Sequence, residues 1–401
     1  MPQKERVLAF AFVTVFLDLV GFGIIIPLLP FYVKSMGGTA ETVGLILSSF
    51  SLTQLLLTPV LGRLSDRVGR RRVILVSLAG NAVSMALFAL ATKVSLLPLL
   101  FFSRIVAGAT SGNIAACQAA VADVTDAEDR TKGMGRIGAG VGLGMVLGPV
   151  LGSAASHFGA WTPPLVASAL ALADFAAAFF FMPETRRAES VSLRDVTAAT
   201  GQRPSLWEAI SQRGILIVFA LYFLTFLYLS TINVILPLLT NARLGWTERE
   251  IGHVFGLFGL IMLVIQGGFI GRMSRAWGAR RLIIAGSVCA LFGLLLVAWT
   301  AQIATVIVGL VLLGAGLGVI NPCLSTLASE MAGSSRRGAI LGFAQSAGGL
   351  ARTLGPTAAG ILYARVGPSA PFTSGAGAAL VSITLASVFL RPPSKRLEVQ
   401  S

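Results

Sequence analysis

Twelve stretches of this chain are each apolar over a length that spans a bilayer, and no soluble fold accommodates such a pattern. They lie at about 7–33, 42–62, 73–92, 96–121, 133–156, 163–183, 214–240, 248–270, 281–299, 303–328, 338–364 and 371–390. A helix needs about 20 mostly apolar residues to cross the hydrocarbon. A transmembrane β-barrel would instead alternate apolar and polar residues over segments of about ten, and these segments do not. The first is too long for a signal-peptide core and has no small-residue cleavage site, so it is expected to stay as the first span. The expected fold class is an all-α integral membrane protein.

Composition supports this. Only 12% of the residues are charged, against about 25% in soluble chains. The net charge of +14 comes from 31 Lys and Arg against 17 Asp and Glu. A basic balance can point to nucleic acid, but too few polar residues remain to build a solvated surface for it. Cys117, Cys289 and Cys323 sit in apolar runs, and His157 and His253 are far apart, so neither a disulfide set nor a metal cluster is expected. The position of the basic residues is more informative. The N-terminus, the even-numbered connections and the C-terminal tail carry 24 of them and the odd-numbered connections five. That bias is expected to make this a multi-pass protein of the cell (inner) membrane with both termini in the cytoplasm. The polar stretch 184–213 reads as a cytoplasmic linker between an N-terminal six-helix unit, 1–183, and a C-terminal one with a short tail, 214–401.

The two halves repeat. Gly62-Arg-Leu-Ser-Asp-Arg-Val-Gly-Arg-Arg-Arg-Val-Ile-Leu75 aligns with Gly271-Arg-Met-Ser-Arg-Ala-Trp-Gly-Ala-Arg-Arg-Leu-Ile-Ile284 at an offset of 209. Leu147-Gly-Pro149 aligns with Leu354-Gly-Pro356 at 207, and Phe16 and Pro27 align with Phe226 and Pro237 at 210. Six spans per half insert both copies the same way up. Parallel repeats of this kind imply a site between the halves, open to each side in turn.

These residues carry a resemblance. The loop Gly62–Leu75 is similar to the signature of the major facilitator superfamily between its second and third helices, and Gly138–Gly152 resembles the signature of its antiporters. Asp18-Leu-Val-Gly-Phe-Gly-Ile-Ile-Ile-Pro-Leu-Leu-Pro30 with Gln54, Pro59 and Arg72 looks most like the twelve-span drug–proton antiporters, tetracycline exporters in particular. The resemblance implies two pseudo-symmetric six-helix bundles and a secondary transporter exporting amphipathic small molecules in exchange for protons. It implies no cofactor beyond the coupling proton. The expected partners are a small-molecule substrate, protons and the bilayer, not nucleic acid, and the expected working form is a monomer.

Asp18 falls near mid-bilayer, where an acid costs about 2.5–3.5 kcal/mol on insertion scales and should face a cavity, pair or titrate. It is either the proton carrier, as a matching acid is in the related exporters, or half of a fixed ion pair. Arg104 stays charged, so it can tune a carrier but not be one; it matches the buried arginine of proton-coupled members, and a structural pair is the alternative. Asp66, Arg70 and Asp123 match the family's charge relay that latches the cytoplasmic side, while the Arg-rich loop also sets topology. In the second copy Arg275 replaces Asp66.

Gly140, Gly144, Gly148 and Gly152, with Pro149, make a small-residue stripe on the fifth span that permits close helix contact. The run lacks a true G-x-G-x-x-G and follows no strand, so it is not a dinucleotide loop. At an offset of 208, Arg352 stands where Gly144 stands in the first copy. A structural pair, a substrate anion and a second coupling role are all open to it. Asp174 reads as a helix-packing or water-facing residue of a peripheral helix, with proton transport as the alternative. Among Gln54, Asn113, Gln118, Asn233, Gln266, Asn321 and Gln345, the best cavity candidates are Gln54, Asn233 and Asn321, so with Arg352 they form the expected substrate set.

Two departures weaken the match to tetracycline. Those exporters carry an acid in the third helix where this chain has Ser84, and another in the ninth, where Leu282–Trp299 has none. The competing reading is a facilitator or importer of a metabolite or lipid-like anion using Arg352. A receptor gives no reason for the intramembrane acid or the gate motif, and an enzyme lacks any nucleophile–base pair or metal set.

Overall fold

A computed structural model describes residues 3–185, 212–299, 302–331 and 337–390, so most of the expected linker lies outside the described residues. What is described is helical: α1 (Gln3–Ile25), α2 (Leu29–Ser35), α3 (Ala40–Val68), α4 (Arg70–Lys93), α5 (Leu97–Thr110), α6 (Asn113–Val124) and α7 (Ala127–Ser156). Then come α8 (Thr162–Phe181), α9 (Arg213–Leu244), α10 (Glu248–Val264), α11 (Ile270–Trp299), α12 (Ile303–Met331), α13 (Arg337–Arg365) and α14 (Ala370–Phe389). A π-helical turn, Ile265–Phe269, joins α10 to α11.

These elements resolve into the twelve expected spans. The first is broken into α1 and α2 around Pro27, which has no N–H to continue the ladder. The fourth is broken into α5 and α6 at Ser111-Gly112. The long run Glu248–Trp299 holds two spans. Gly314 and Gly318 of α12 pack on Ile261 and Ile265, in parallel, whereas Gly286 and Gly293 of α11 pack on Gly316 and Gly309, antiparallel. The chain therefore reverses between them, at Gly278, whose φ of +75° a side chain would resist. Gly69, its counterpart in the first copy, has φ +106°. The same backbone need thus explains the glycine in both copies of the repeated loop.

The packing repeats as the sequence does. In the first half α1 packs on α7 and α8, and α4 packs on α5 and α8; in the second, α9 packs on α13 and α14, and α11 packs on α12 and α14. Even the loop arginines correspond. Arg71 donates to the carbonyl of Phe179 at the end of α8, and Arg280 Nε donates to that of Ala386 near the end of α14 at 3.2 Å. Each places a cation where helix carbonyls lack partners.

The halves meet along α3 with α13 and along α7 with α10. Both contacts lie on the side away from the Arg70 loop. There Gly44 backs onto Pro356 and Thr357, Gly360 onto Ala40 and Glu41, and Gly252 and Gly259 onto Pro149 and Met145. Polar links cross at the same level. Ser48 bonds Thr357 Oγ1 at 2.8 Å, Lys34 donates to Asn241 Oδ1 at 2.8 Å, Ser153 donates to the Arg249 carbonyl at 3.3 Å, and Arg365 pairs with Glu41 at 3.2 Å. Towards the Arg70 face the same helices separate. Leu56, Pro59 and Val60 of α3, Phe343, Gln345 and Ser346 of α13, and Gln266 to Phe269 are exposed. A side chain added at Gly62, Gly138, Gly267, Gly268 or Gly342 would meet no atom within 4 Å. The cleft between the halves is closed on one face and open on the other.

Candidate functional site

The α1–α7 contact is close because the glycine stripe lets two backbones touch. A Cβ at Gly140 would lie 3.1 Å from the Phe12 carbonyl, at Gly144 2.8 Å from that of Phe16, at Gly148 2.7 Å from Gly23 Cα, and at Gly152 2.8 Å from the Ile24 carbonyl. Pro149 sits inside this continuous helix with its ring against Gly23. We expect Gly148→Leu to cost at least 3 kcal/mol, above the usual ~1–3 kcal/mol of overpacking, because backbone rather than a flexible side chain must move. The check is thermal unfolding of the purified variant in detergent.

Behind that contact lies Asp18. Asn81 Nδ2 of α4 donates to its Oδ1 at 2.9 Å, and the Asn113 amide of α6 also reaches it. No Lys or Arg forms an ion pair with it among the described residues. The fixed-pair alternative for Asp18 is therefore not what the structure shows. The carboxylate sits in neutral amides, which accept either protonation state by turning. Sequence reasoning missed Asn81, because an uncharged residue on an apolar helix leaves no pattern to read.

Arg104 is 5% exposed and likewise has no carboxylate. Its guanidinium donates to Ser84 Oγ at 3.2 Å and lies 4.7 Å from the Phe88 ring centre. A buried cation satisfied only by hydroxyls and a ring is costly, and a mobile anion or a change of conformation can relieve it. Arg352, half-buried on α13, lies 4.6 Å from the Phe226 ring centre on α9 and makes no ion pair among the described residues. In the first copy Gly144 packs on the backbone of Phe16; in the second the arginine stacks on the matching phenylalanine, a cation–π contact worth about 0.5–2 kcal/mol.

The remaining candidates divide. Arg70 joins Asp66, at 2.5 Å, and Asp123, at 3.1 Å, as the motif predicts. Glu184, which sequence reasoning did not include, accepts from the Arg70 backbone N–H at 2.9 Å and fills the space over Gly69. All four acidic and basic groups belong to the first half. Arg275 is exposed and forms no such cluster in the second. Leu55, next to Gln54, packs on Gly349, one turn from Arg352. Among the described residues, Asn233 is half-buried without a hydrogen bond and the Asn321 side-chain oxygen Oδ1 is buried without a partner.

Paired six-helix bundles, a cleft closed at one face, and unpaired charges inside the bundles define a membrane transporter that uses no covalent chemistry. The chain belongs to the Major Facilitator Superfamily, whose family model matches residues 11–268 and 218–401. It is 34% identical to the class E tetracycline resistance protein of Escherichia coli over 90% of this chain and 88% of that one. It is 28% identical to multidrug resistance protein 2 of Bacillus subtilis over 90% of each. Among solved structures, the human organic anion transporter MFSD10 (TETRAN) superimposes with a TM-score of 0.71 at 28% identity, covering 96% of this chain and 100% of that one. The protein is a multi-pass membrane transporter and not an enzyme.

Proposed function

We propose that the protein is a proton-coupled antiporter that exports amphipathic small molecules by alternating access. The observation that carries this is Asp18: a mid-membrane carboxyl held by two amides, with no cation on it among the described residues, beside the close α1–α7 contact. Asp18 carries the proton, Arg104 tunes it, and Asp66, Arg70 and Asp123 latch the cytoplasmic side. The glycine stripe with Pro149 seals the first bundle against leak, and Gln54, Asn233, Asn321 and Arg352 line the substrate path. The basic Arg70 face is cytoplasmic, so the cleft described here faces inward and the protein works as a monomer of two units, 1–183 and 214–401, joined by 184–213. Tetracycline and multidrug resistance relatives support export of drug-like compounds.

Reconstitution into liposomes with an imposed pH gradient tests this. Cationic, neutral and anionic amphiphiles are offered in turn, and gradient-driven accumulation of at least one is expected. Indifference to the gradient for every transported compound sinks the reading.

A second reading, movement of an organic anion, is favoured by one observation: Arg352 is supported by a ring rather than by an acid, which leaves its N–H groups free to hold a carboxylate. A solved relative, human MFSD10, is named for organic anions. On this reading Arg352→Ala reduces anion uptake at least tenfold, the loss of about 1.4 kcal/mol, and leaves neutral substrates unchanged. Equal loss for both classes assigns Arg352 to structure.

A further inference from the structure

Asp174 of α8 is not at the edge of its bundle. It is 1% exposed, its Oδ1 accepts from Thr14 Oγ1 at 3.2 Å, and its Oδ2 is buried with no partner. Thr14 lies one helical turn from Asp18 on α1, so the two carboxyls occupy adjacent turns of the same core, about 6 Å apart along the axis at 1.5 Å per residue. The charge of Asp18 reaches Asp174, and the Cys117 thiol lies near both.

The neighbouring helices keep the same register. On α4, Ser168 Oγ bonding the Ala82 carbonyl and Arg71 bonding that of Phe179 fix an antiparallel alignment. That alignment puts Ser77 level with Asp174, and Ser77 Oγ is also buried without a partner. Asn81, one turn on from Ser77, holds Asp18; Asn113 of α6 reaches Asp18, and Cys117 follows it by one turn. The first bundle thus contains two stacked polar layers, Asp18–Asn81–Asn113 and Asp174–Thr14–Ser77–Cys117. Beyond the second layer the core is apolar: Val7, Ala11, Ile74, Ala120 and Ala178 are all at most 1% exposed. The layer is a closed end, not an exit.

No positive charge enters either layer. Arg71 is engaged at the end of α8 and Arg104 lies with Ser84, Met85 and Phe88. The face α7 turns to α1 is glycine. Two acids on adjacent turns of one core, with no cation beside them among the described residues, do not both ionise, because like charges disfavour one another. A buried carboxyl oxygen with no donor is likewise costly as a carboxylate.

We infer that Asp174 is a second proton-coupling residue, which with Asp18 forms a carboxyl pair that stores the coupling proton inside the first bundle. Asp18 is the half-buried member that exchanges with the cleft, and Asp174 is the sealed member. Loading the pair adds one proton and removes one negative charge; unloading returns that proton through Asp18. This rests on the proton-coupled reading above.

Infrared spectroscopy of the purified full chain in liposomes tests it, together with the pH profile of gradient-driven transport. The wild type is expected to show a protonated-carboxyl C=O band at neutral pH that Asp174→Asn removes. Asp174→Asn is also expected to move the pH midpoint of transport by about one unit. A wild-type spectrum without that band overturns the inference and needs no variant to fold. So does an Asp174→Asn variant with the wild-type band and midpoint, even at reduced thermal stability. Asp18→Asn separates the two claims: if it leaves gradient-driven transport intact, the proton-coupled reading itself fails, whatever Asp174 does.

Discussion

Asp18→Asn is expected to lower gradient-driven transport about 100-fold while leaving substrate exchange across the membrane without a gradient. The amide is the same size as the carboxyl, and its oxygen can still accept from Asn81, which donates to Asp18 at 2.9 Å. The site therefore keeps its shape and loses only the capacity to change charge. A thermal scan separates this from misfolding. A carboxylate near mid-membrane costs about 2.5–3.5 kcal/mol, and Asp18 has no ion-pair partner to offset it, so the variant should melt no lower than the wild type. Lower stability with loss of both activities would assign Asp18 to the fold. Full gradient-driven transport would remove it from coupling.

Gly44→Leu is expected to force open the face that is closed here and to abolish net transport. At this level α3 and α13 touch through backbone: a Cβ on Gly44 would lie 2.9 Å from Thr357 Cα, and one on Gly360 would lie 3.0 Å from Glu41 Cα. Overpacking a contact of this kind costs about 1–3 kcal/mol, which shifts a two-state balance roughly 5- to 150-fold. The polar links at the same level are weak opposition. The Glu41–Arg365 pair is largely exposed, and such pairs are worth about 0–1 kcal/mol. Spin labels at Glu41→Cys and Arg365→Cys should move apart by several ångströms in the variant. An unchanged separation, with transport retained, would show that this contact is not the outer gate. The opposite face has its own softness. The π-helical turn Ile265–Phe269 corresponds, at the offset of 209, to a stretch of α3 containing Pro59. Both break regular helix bonding where the halves part.

Much of this was legible because the membrane leaves few choices. Span number followed from apolar length. The repeat predicted the matching helix pairs, and the loop motif predicted the Arg70 cluster. The glycine stripe announced a close helix contact, but period alone could not say which helix, and the structure supplies α1. Charges inside spans were visible as exceptions, yet their partners were not. Pairing was an open alternative for Asp18, Arg104 and Arg352, and the structure leaves all three without an ion pair among the described residues. Asn81, Thr14 and Ser77 went unread because single neutral polar residues on apolar helices carry no periodic or charge signal. Asp174 was read as peripheral from its helix; its place beside Asp18 depends on the register of α8 against α4, which no local pattern encodes. Glu184 looked like the start of a linker and instead closes over Gly69.

The account stands or falls on exchange of protons for substrate. Vesicles containing the protein, weakly buffered and loaded with a pH indicator, should show protons moving opposite to an added transported substrate. The movement should need the protein, stop with Asp18→Asn and collapse with a protonophore. Substrate crossing at the same rate with no protein-dependent proton movement would contradict it.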